Sequence, residues 1–239
     1  KKAILKFIRL AFESAIECGL IQRNPAPQMK FKIGKKVKTV LTFEQTKKVL
    51  NKAKELSWPW YPHVVLAIYT GLRNGELYAL KWDRIDLENN LIKVDRSWNN
   101  KDGFKSTKSG HDRLVDIAPE LRTFLLDLKL KTTHTSFVLP RIGRWDKGEQ
   151  ARELQMFLIA LGLPVIRFHD LRATWCTLML SRGVEPAKVM AMAGWKEFAT
   201  MDRYIREAGI DIKGACSVLK IHDSKANLGG IVQFKPIEL

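Results

Sequence analysis

Six side chains in this sequence have the types and spacing to act on a phosphodiester: Arg73, Lys108, His169, Arg172, Trp195 and Tyr204. Arginine forks hold phosphate bidentately, and two of them can cover both non-bridging oxygens of one diester. A histidine and an indole N–H add donors to the charge that builds up during an in-line displacement. Lysine can protonate a leaving alkoxide, and tyrosine can attack phosphorus to give a covalent intermediate. A phenol is almost wholly protonated at neutral pH. It needs neighbouring guanidiniums, and a base such as histidine to take its proton, before it can serve as a nucleophile. No carboxylate cluster or His/Cys grouping suggests a metal. No metal or other cofactor is therefore expected, and the arginines would carry the role that Mg²⁺ plays elsewhere. Glu76, one helical turn after Arg73, is placed to pair with it. Taken singly, each residue has an ordinary structural explanation. Taken as a set in a strongly basic chain, they point to phosphoryl chemistry on nucleic acid.

These residues must be positioned by elements that the pattern of the chain partly reveals. The stretch from Pro164 to Arg206 carries four of the six. In it Leu171, Trp175 and Leu178 form one apolar helical stripe, with His169 and Arg172 falling to its side. Earlier, Ile4, Ile8, Ala11, Phe12, Ala15 and Ile16 recur at helical spacing, with Gly19 as the stop and Arg23-Asn24-Pro25 as a break. Lys30, Lys32, Lys35, Lys36 and Lys38 follow with little apolar content between them, which reads as an exposed basic linker able to contact phosphates. Thr42-Phe43-Glu44-Gln45 has capping-box spacing and predicts a helix to about Leu56. Val64–Thr70 reads as a buried helix closed by Gly71, after which Leu72, Leu77 and Leu80 can pack inward. Alternation from Leu80 to Trp98 about Glu88-Asn89-Asn90 predicts one hairpin. A second is expected from Phe104 to Ile117, with its turn near Ser109-Gly110 and Lys108. Helices are predicted at Pro119–Leu130 and Glu149–Leu161. The fold class is thus mainly α with a small antiparallel β-sheet (α+β).

Composition narrows the partner. Lys and Arg number 41 against 25 Asp and Glu over 239 residues, a net charge of +16, so a polyanion, first of all nucleic acid, is the expected partner. No long apolar run or basic amphipathic anchor suggests a membrane. Cys18, Cys176 and Cys216 are too few and too scattered for a disulfide framework or a zinc site, which fits a reducing cytoplasm. The chain starts Lys1-Lys2 inside a helical pattern, which reads as a fragment whose N-terminal part has been removed.

The motifs TGLRNGEL at 70–77, TKSGHDRLVDI at 107–117, HDLR at 169–172, AGW at 193–195 and DRYIR at 202–206 resemble, in order and spacing, those of the tyrosine recombinases of the phage-integrase family. The resemblance covers about 40–206, and it implies the DNA breaking-rejoining catalytic fold. By it, residues 1–29 correspond to the C-terminal helix of a core-binding domain, 30–39 to the linker, and 40–210 to the catalytic domain. The tail, 211–239, would pack on its own domain or dock in trans on a neighbouring protomer. Arg73 and Arg172 match the arginines that bind the scissile phosphate, and Lys108 the hairpin lysine that acts as general acid. His169 matches the histidine that bonds the phosphate and accepts the tyrosine proton, Glu76 an acidic brace, and Tyr204 the nucleophile. Trp195 stands where the family more often has histidine, which keeps a donor but removes a titratable group.

The resemblance implies a site-specific DNA recombinase, whether an integrase or transposase of a mobile element or a chromosomal resolvase. It would work through a 3′-phosphotyrosyl intermediate without metal or ATP. The implied partners are double-stranded DNA at specific recombination sites and three further copies of the chain in a tetramer on DNA, with monomer or dimer when free. Accessory DNA-bending proteins and a nucleoid-associated cytoplasmic location are also expected. A type IB topoisomerase-like relaxing enzyme, and an inactive DNA-binding regulator, are the alternatives.

Overall fold

The computed structural model of the chain describes residues 2–28, 39–106, 112–132 and 134–207. The five linker lysines (Lys30, Lys32, Lys35, Lys36 and Lys38), Lys108, the Ser109-Gly110 turn and the 211–239 tail lie outside the described residues. The chain divides into two compact units, Lys1–Lys38 and Thr39–Leu239.

In the first unit, α1 (Lys2–Glu17) ends where Gly19 takes a left-handed φ of 71°. The Asn24-Pro25-Ala26 turn then lies back along the helix. Asn24 donates to the Arg9 carbonyl at 3.0 Å, and Arg9 Nη1 donates to the Ala26 carbonyl at 2.9 Å. Ile4, Phe7 and Leu10 are exposed, so within this unit α1 carries an uncovered apolar face.

The second unit is mainly helical with a small antiparallel sheet. Its first helix, α2 (Phe43–Glu55), begins at the expected capping box. Thr42 Oγ1 accepts from the Gln45 N–H at 3.2 Å, and Gln45 Oε1 accepts from the Thr42 N–H at 2.9 Å. Next, α3 (Tyr61–Thr70) starts one turn earlier than its apolar run, with Pro62 in its first turn where a missing N–H costs nothing. It closes at Gly71, whose φ is 61°. Three residues on begins the short α4 (Asn74–Ala79). Further on, α5 (Pro119–Lys131) and α6 (Glu149–Ala160) fall within a residue of their predicted bounds. The remaining helices are α7 (Asp170–Ser181), α8 (Pro186–Ala193) and α9 (Phe198–Glu207).

Strands β1 (Ile85–Asp86) and β2 (Leu91–Val94) form the first predicted hairpin, and the turn between them places Asn90 at φ 56°. The second hairpin differs from expectation. β3 (Arg96–Asn99) pairs with β4 (Gly103–Ser106), while β5 (Arg113–Asp116) pairs with β2, giving the order β1-β2-β5. Turn chemistry accounts for the change. Asn99 Oδ1 accepts from the N–H groups of Lys101 and Asp102 at 2.9 and 2.8 Å, and Gly103 supplies φ 67°, so the chain reverses at 99–103. The β2–β5 register sets Ile92 opposite Val115 and Val94 opposite Arg113, and all four are buried. One face of the sheet is therefore apolar and ends in an arginine.

Two buried clusters fill this unit. The larger joins α2–α6 and the sheet and runs from Leu41 to Leu171; the smaller joins α7, α8 and α9 around Trp175, Cys176, Val189, Met201 and Tyr204. Helix α7 belongs to both. No helix among the described residues is long and apolar enough to cross a membrane.

Candidate active site

The close of α3 is where the candidate site begins. Gly71 is needed there twice over: its φ is left-handed, and a Cβ would stand 2.3 Å from the Trp175 ring of α7. This close approach lets the Gly71 carbonyl accept from Arg172 Nη1 at 2.6 Å, across 101 residues of sequence. Arg73 caps α4 two residues later, partly exposed.

Glu76 is 2% exposed and uses all four lone-pair directions of its carboxylate. Oε1 accepts from Arg73 Nη1 at 2.8 Å and from Arg113 Nη1 at 3.0 Å. Oε2 accepts from the Arg73 backbone N–H at 2.8 Å and from Arg113 Nη2 at 2.6 Å. Burial alone would push this carboxyl up, but hydrogen bonds and charge from Arg113, then from Arg73, outweigh it and hold the group below the usual range. A carboxylate so saturated has no lone pair to spare for a proton relay. It holds Arg73 at both its backbone N–H and its guanidinium.

Arg172 corrects the expectation of a polar pair beside an apolar stripe. It is 4% exposed, because α7 is enclosed by α3, α8 and α9 and has almost no solvent face. Its Nη1 is bonded to the Gly71 carbonyl, and its Nη2 donates to the carbonyl of Ala193 at the end of α8. Burial, then the charge of Arg73, press its pKa down to about 9, which leaves the guanidinium cationic at neutral pH. Two guanidiniums, of Arg73 and Arg113, thus grip one buried carboxylate, and the charge of a third, Arg172, is felt nearby. The excess positive charge suits a site that receives an anion.

His169 is the residue before α7, exposed where Arg172 is buried, three positions along the same helix. The helix start is braced by Asp170, which pairs with Arg167 at 2.9 Å. Trp195 follows the left-handed Gly194 that closes α8. Its ring takes the Arg172 guanidinium at 5.0 Å from the centroid, and the Tyr204 ring stacks on it at 5.2 Å and 4°. Tyr204, on α9, is 6% exposed within the smaller cluster. The indole was expected as a hydrogen-bond donor; here its faces do the visible work.

Arg73 and Glu76 are linked through Arg113 to the end of α8, beside Arg172, Trp195 and Tyr204, and His169 immediately precedes the helix that carries Arg172. Arg113 was absent from the residues singled out in the sequence, yet it is 8% exposed and pairs with Glu76. The signal for it lay in the alternation of DRLVDI, which sets Arg113 on the same side as Val115 and Ile117. An arginine on the buried side of a strand requires a partner, and Glu76 is that partner.

Comparisons with known proteins bear on the family and the fold. The chain is 28% identical over 195 residues to the tyrosine recombinase XerA of Saccharolobus solfataricus, covering 76% of this chain and 55% of that protein. It is 24% identical over 218 residues to the integrase of Salmonella phage P22, covering 85% and 53%. The chain thus spans about half the length of the curated relatives it matches. Among solved structures, the Tn1549 transposon integrase in complex with a circular intermediate DNA superposes with a TM-score of 0.72 at 20% identity, covering 91% of this chain and 77% of that one. A lambda integrase tetramer bound to a Holliday junction gives 0.67 at 18%, covering 87% and 59%. These two share the fold. The description "Phage integrase family" matches residues 39–209, most of the chain and all of the clustered site, and the chain belongs to that family.

Proposed function

We propose that this chain is the catalytic part of a site-specific DNA recombinase, cutting and rejoining strands through a covalent bond between Tyr204 and DNA. The observation that carries the reading is the convergence of Arg73, Arg172 and the Trp195–Tyr204 stack on one anion-receptive cluster, from segments far apart in sequence. In the proposed step, Tyr204 Oη attacks phosphorus and loses its proton to His169. The bond from phosphorus to the 5′ oxygen breaks, and Lys108 protonates the leaving alkoxide. The products are a 3′-phosphotyrosyl link and a 5′-hydroxyl. Attack by that hydroxyl, or by one from a partner strand, reverses the step without ATP. Arg73 and Arg172 stabilise the charge on the non-bridging oxygens, with Glu76 holding Arg73 in place and Trp195 at the side of Tyr204.

The net charge of +16 supports double-stranded DNA as the partner, and the linker lysines 30–38 would add salt-sensitive phosphate contacts. The neighbouring structures, a transposon integrase with DNA and a lambda integrase tetramer on a Holliday junction, support a tetramer on DNA here. In that assembly residues 1–29 would complete a helical DNA-clasping domain, in keeping with the exposed Ile4, Phe7 and Leu10. The 211–239 tail would bridge protomers, accessory proteins would bend the DNA, and the complex would sit on the nucleoid.

The test is a nicked suicide DNA carrying the cognate site, incubated with protein and then denatured in SDS. A covalent adduct is expected from the native chain and none from Tyr204→Phe. An adduct that survives that change would remove Tyr204 as nucleophile. Failure of the native chain on its cognate site would leave a DNA-binding regulator as the better reading.

A further inference from the structure

Two successive carbonyls at the end of α8 are each held by a buried arginine. Arg113 Nε donates to Met192 O at 2.7 Å, and Arg172 Nη2 donates to Ala193 O. These are the carbonyls left open by the helix terminus, at the negative end of its dipole, where cations are favoured. The turn that follows lies directly on the stem of Arg113: a Cβ at Gly194, whose φ is 67°, would stand 2.9 Å from Arg113 Cδ. The N–H groups of Gly194 and Trp195 then fold back onto the carbonyls of Ala191 and Met190, each at 3.1 Å. The next side chain is the indole on which Tyr204 stacks.

We infer that Arg113 is a positioning residue for the nucleophile. By gripping Glu76 with its two Nη groups and Met192 with its Nε, it fixes the end of α8, and so the Trp195 ring against which Tyr204 is set. The same guanidinium thereby couples the α4 half of the site, with Arg73, to the half that carries Tyr204. Arg113 contacts neither DNA nor the reacting atoms in this account.

A simpler role competes with this one: Arg113 neutralises the buried Glu76 and nothing more. Lysine separates the two. A single Nζ can supply the charge that Glu76 needs, but it cannot reproduce a two-pronged fork and a third bond to Met192 O. The experiment compares the native chain with Arg113→Met and Arg113→Lys by thermal unfolding, by amide hydrogen exchange across 186–197, and by adduct formation on the nicked suicide DNA. Arg113→Met should unfold at lower temperature, and Arg113→Lys should recover most of that loss. In Arg113→Lys the Gly194 and Trp195 amides should nevertheless exchange about tenfold faster or more while α2 and α3 stay protected. Adduct formation should fall on the order of 10²-fold, as expected for a misplaced reacting group, with DNA binding within about twofold of native. Native adduct rates in Arg113→Lys would overturn the inference. So would slow adduct formation with unchanged exchange at Gly194 and Trp195. The adduct readout rests on the recombinase reading, whereas the exchange readout does not. If the native chain itself formed no adduct, the recombinase reading would fail, and exchange alone would decide the role of Arg113.

Discussion

Acidification should destabilise the second unit through one buried imidazole remote from the proposed chemistry. His63, on α3, is fully buried, with its ring 4.4 Å from Trp145 and 4.8 Å from Trp60, centroid to centroid. Nε2 bonds to the Pro140 carbonyl at 3.1 Å, while Nδ1 is buried without a hydrogen-bond partner among the described residues. Loss of hydration pushes the pKa from 6.5 to about 3; the Pro140 bond opposes this, and the charge of Arg141 adds to it. The folded state therefore holds His63 neutral. Above pH 6.5 both states are neutral and the shift costs nothing. As pH falls through 6.5 the unfolded chain takes up a proton that the folded chain refuses, and stability is lost progressively until about pH 3. From about pH 7.5 to about pH 5 the loss comes to roughly 2 kcal/mol. Urea unfolding of the native chain and of His63→Phe at these two pH values measures it. The variant keeps an aromatic ring between the tryptophans, gives up the Pro140 bond, and should show a much flatter pH dependence. A native stability that changes by less than about 0.5 kcal/mol over this interval, or an equal slope in His63→Phe, would refute the linkage argument.

Two further outcomes probe the site itself. Gly71→Ala drives a methyl into the Trp175 ring and puts a Cβ on a left-handed residue, so it should cost about 2–4 kcal/mol in a denaturation midpoint. It should also slow adduct formation, because the carbonyl that anchors Arg172 must move. Arg73→Ala should behave in the opposite way. Glu76 keeps its fork to Arg113, so thermal unfolding should shift little, while adduct formation falls on the order of 10²–10³-fold with DNA binding retained. A native adduct rate in Arg73→Ala would remove that arginine from the mechanism.

Local signals in the sequence carried the helices well, because each rests on chemistry within a few residues. The Thr42–Gln45 capping box, Pro119 at a helix start and Gly71 at a helix end all act where they stand. The same holds for the β1–β2 hairpin. Strand pairing beyond it was less legible. The chain enters β4 from the Asx turn at Asn99 with Gly103, a reversal that the alternation pattern alone did not announce. Where β5 would go depended on which strand offered its apolar face a partner, and that was β2, with Ile92 opposite Val115.

What the sequence by itself determined is the inventory: two arginines, a lysine, a histidine, an indole and a tyrosine, in motifs whose order identifies the family. Burial and partnership were decided only by the tertiary structure. Helical periodicity assumes that one side of a helix meets water, and α7 is enclosed by three others, so Arg172 is interior rather than lateral. The alternation of β5 announced that Arg113 points inward but not toward what. Glu76 lies 37 residues earlier and Met192 lies 79 residues later. A charge is sheltered or exposed, and paired or orphaned, according to what the whole chain brings beside it. Neither property is carried by any short window of sequence.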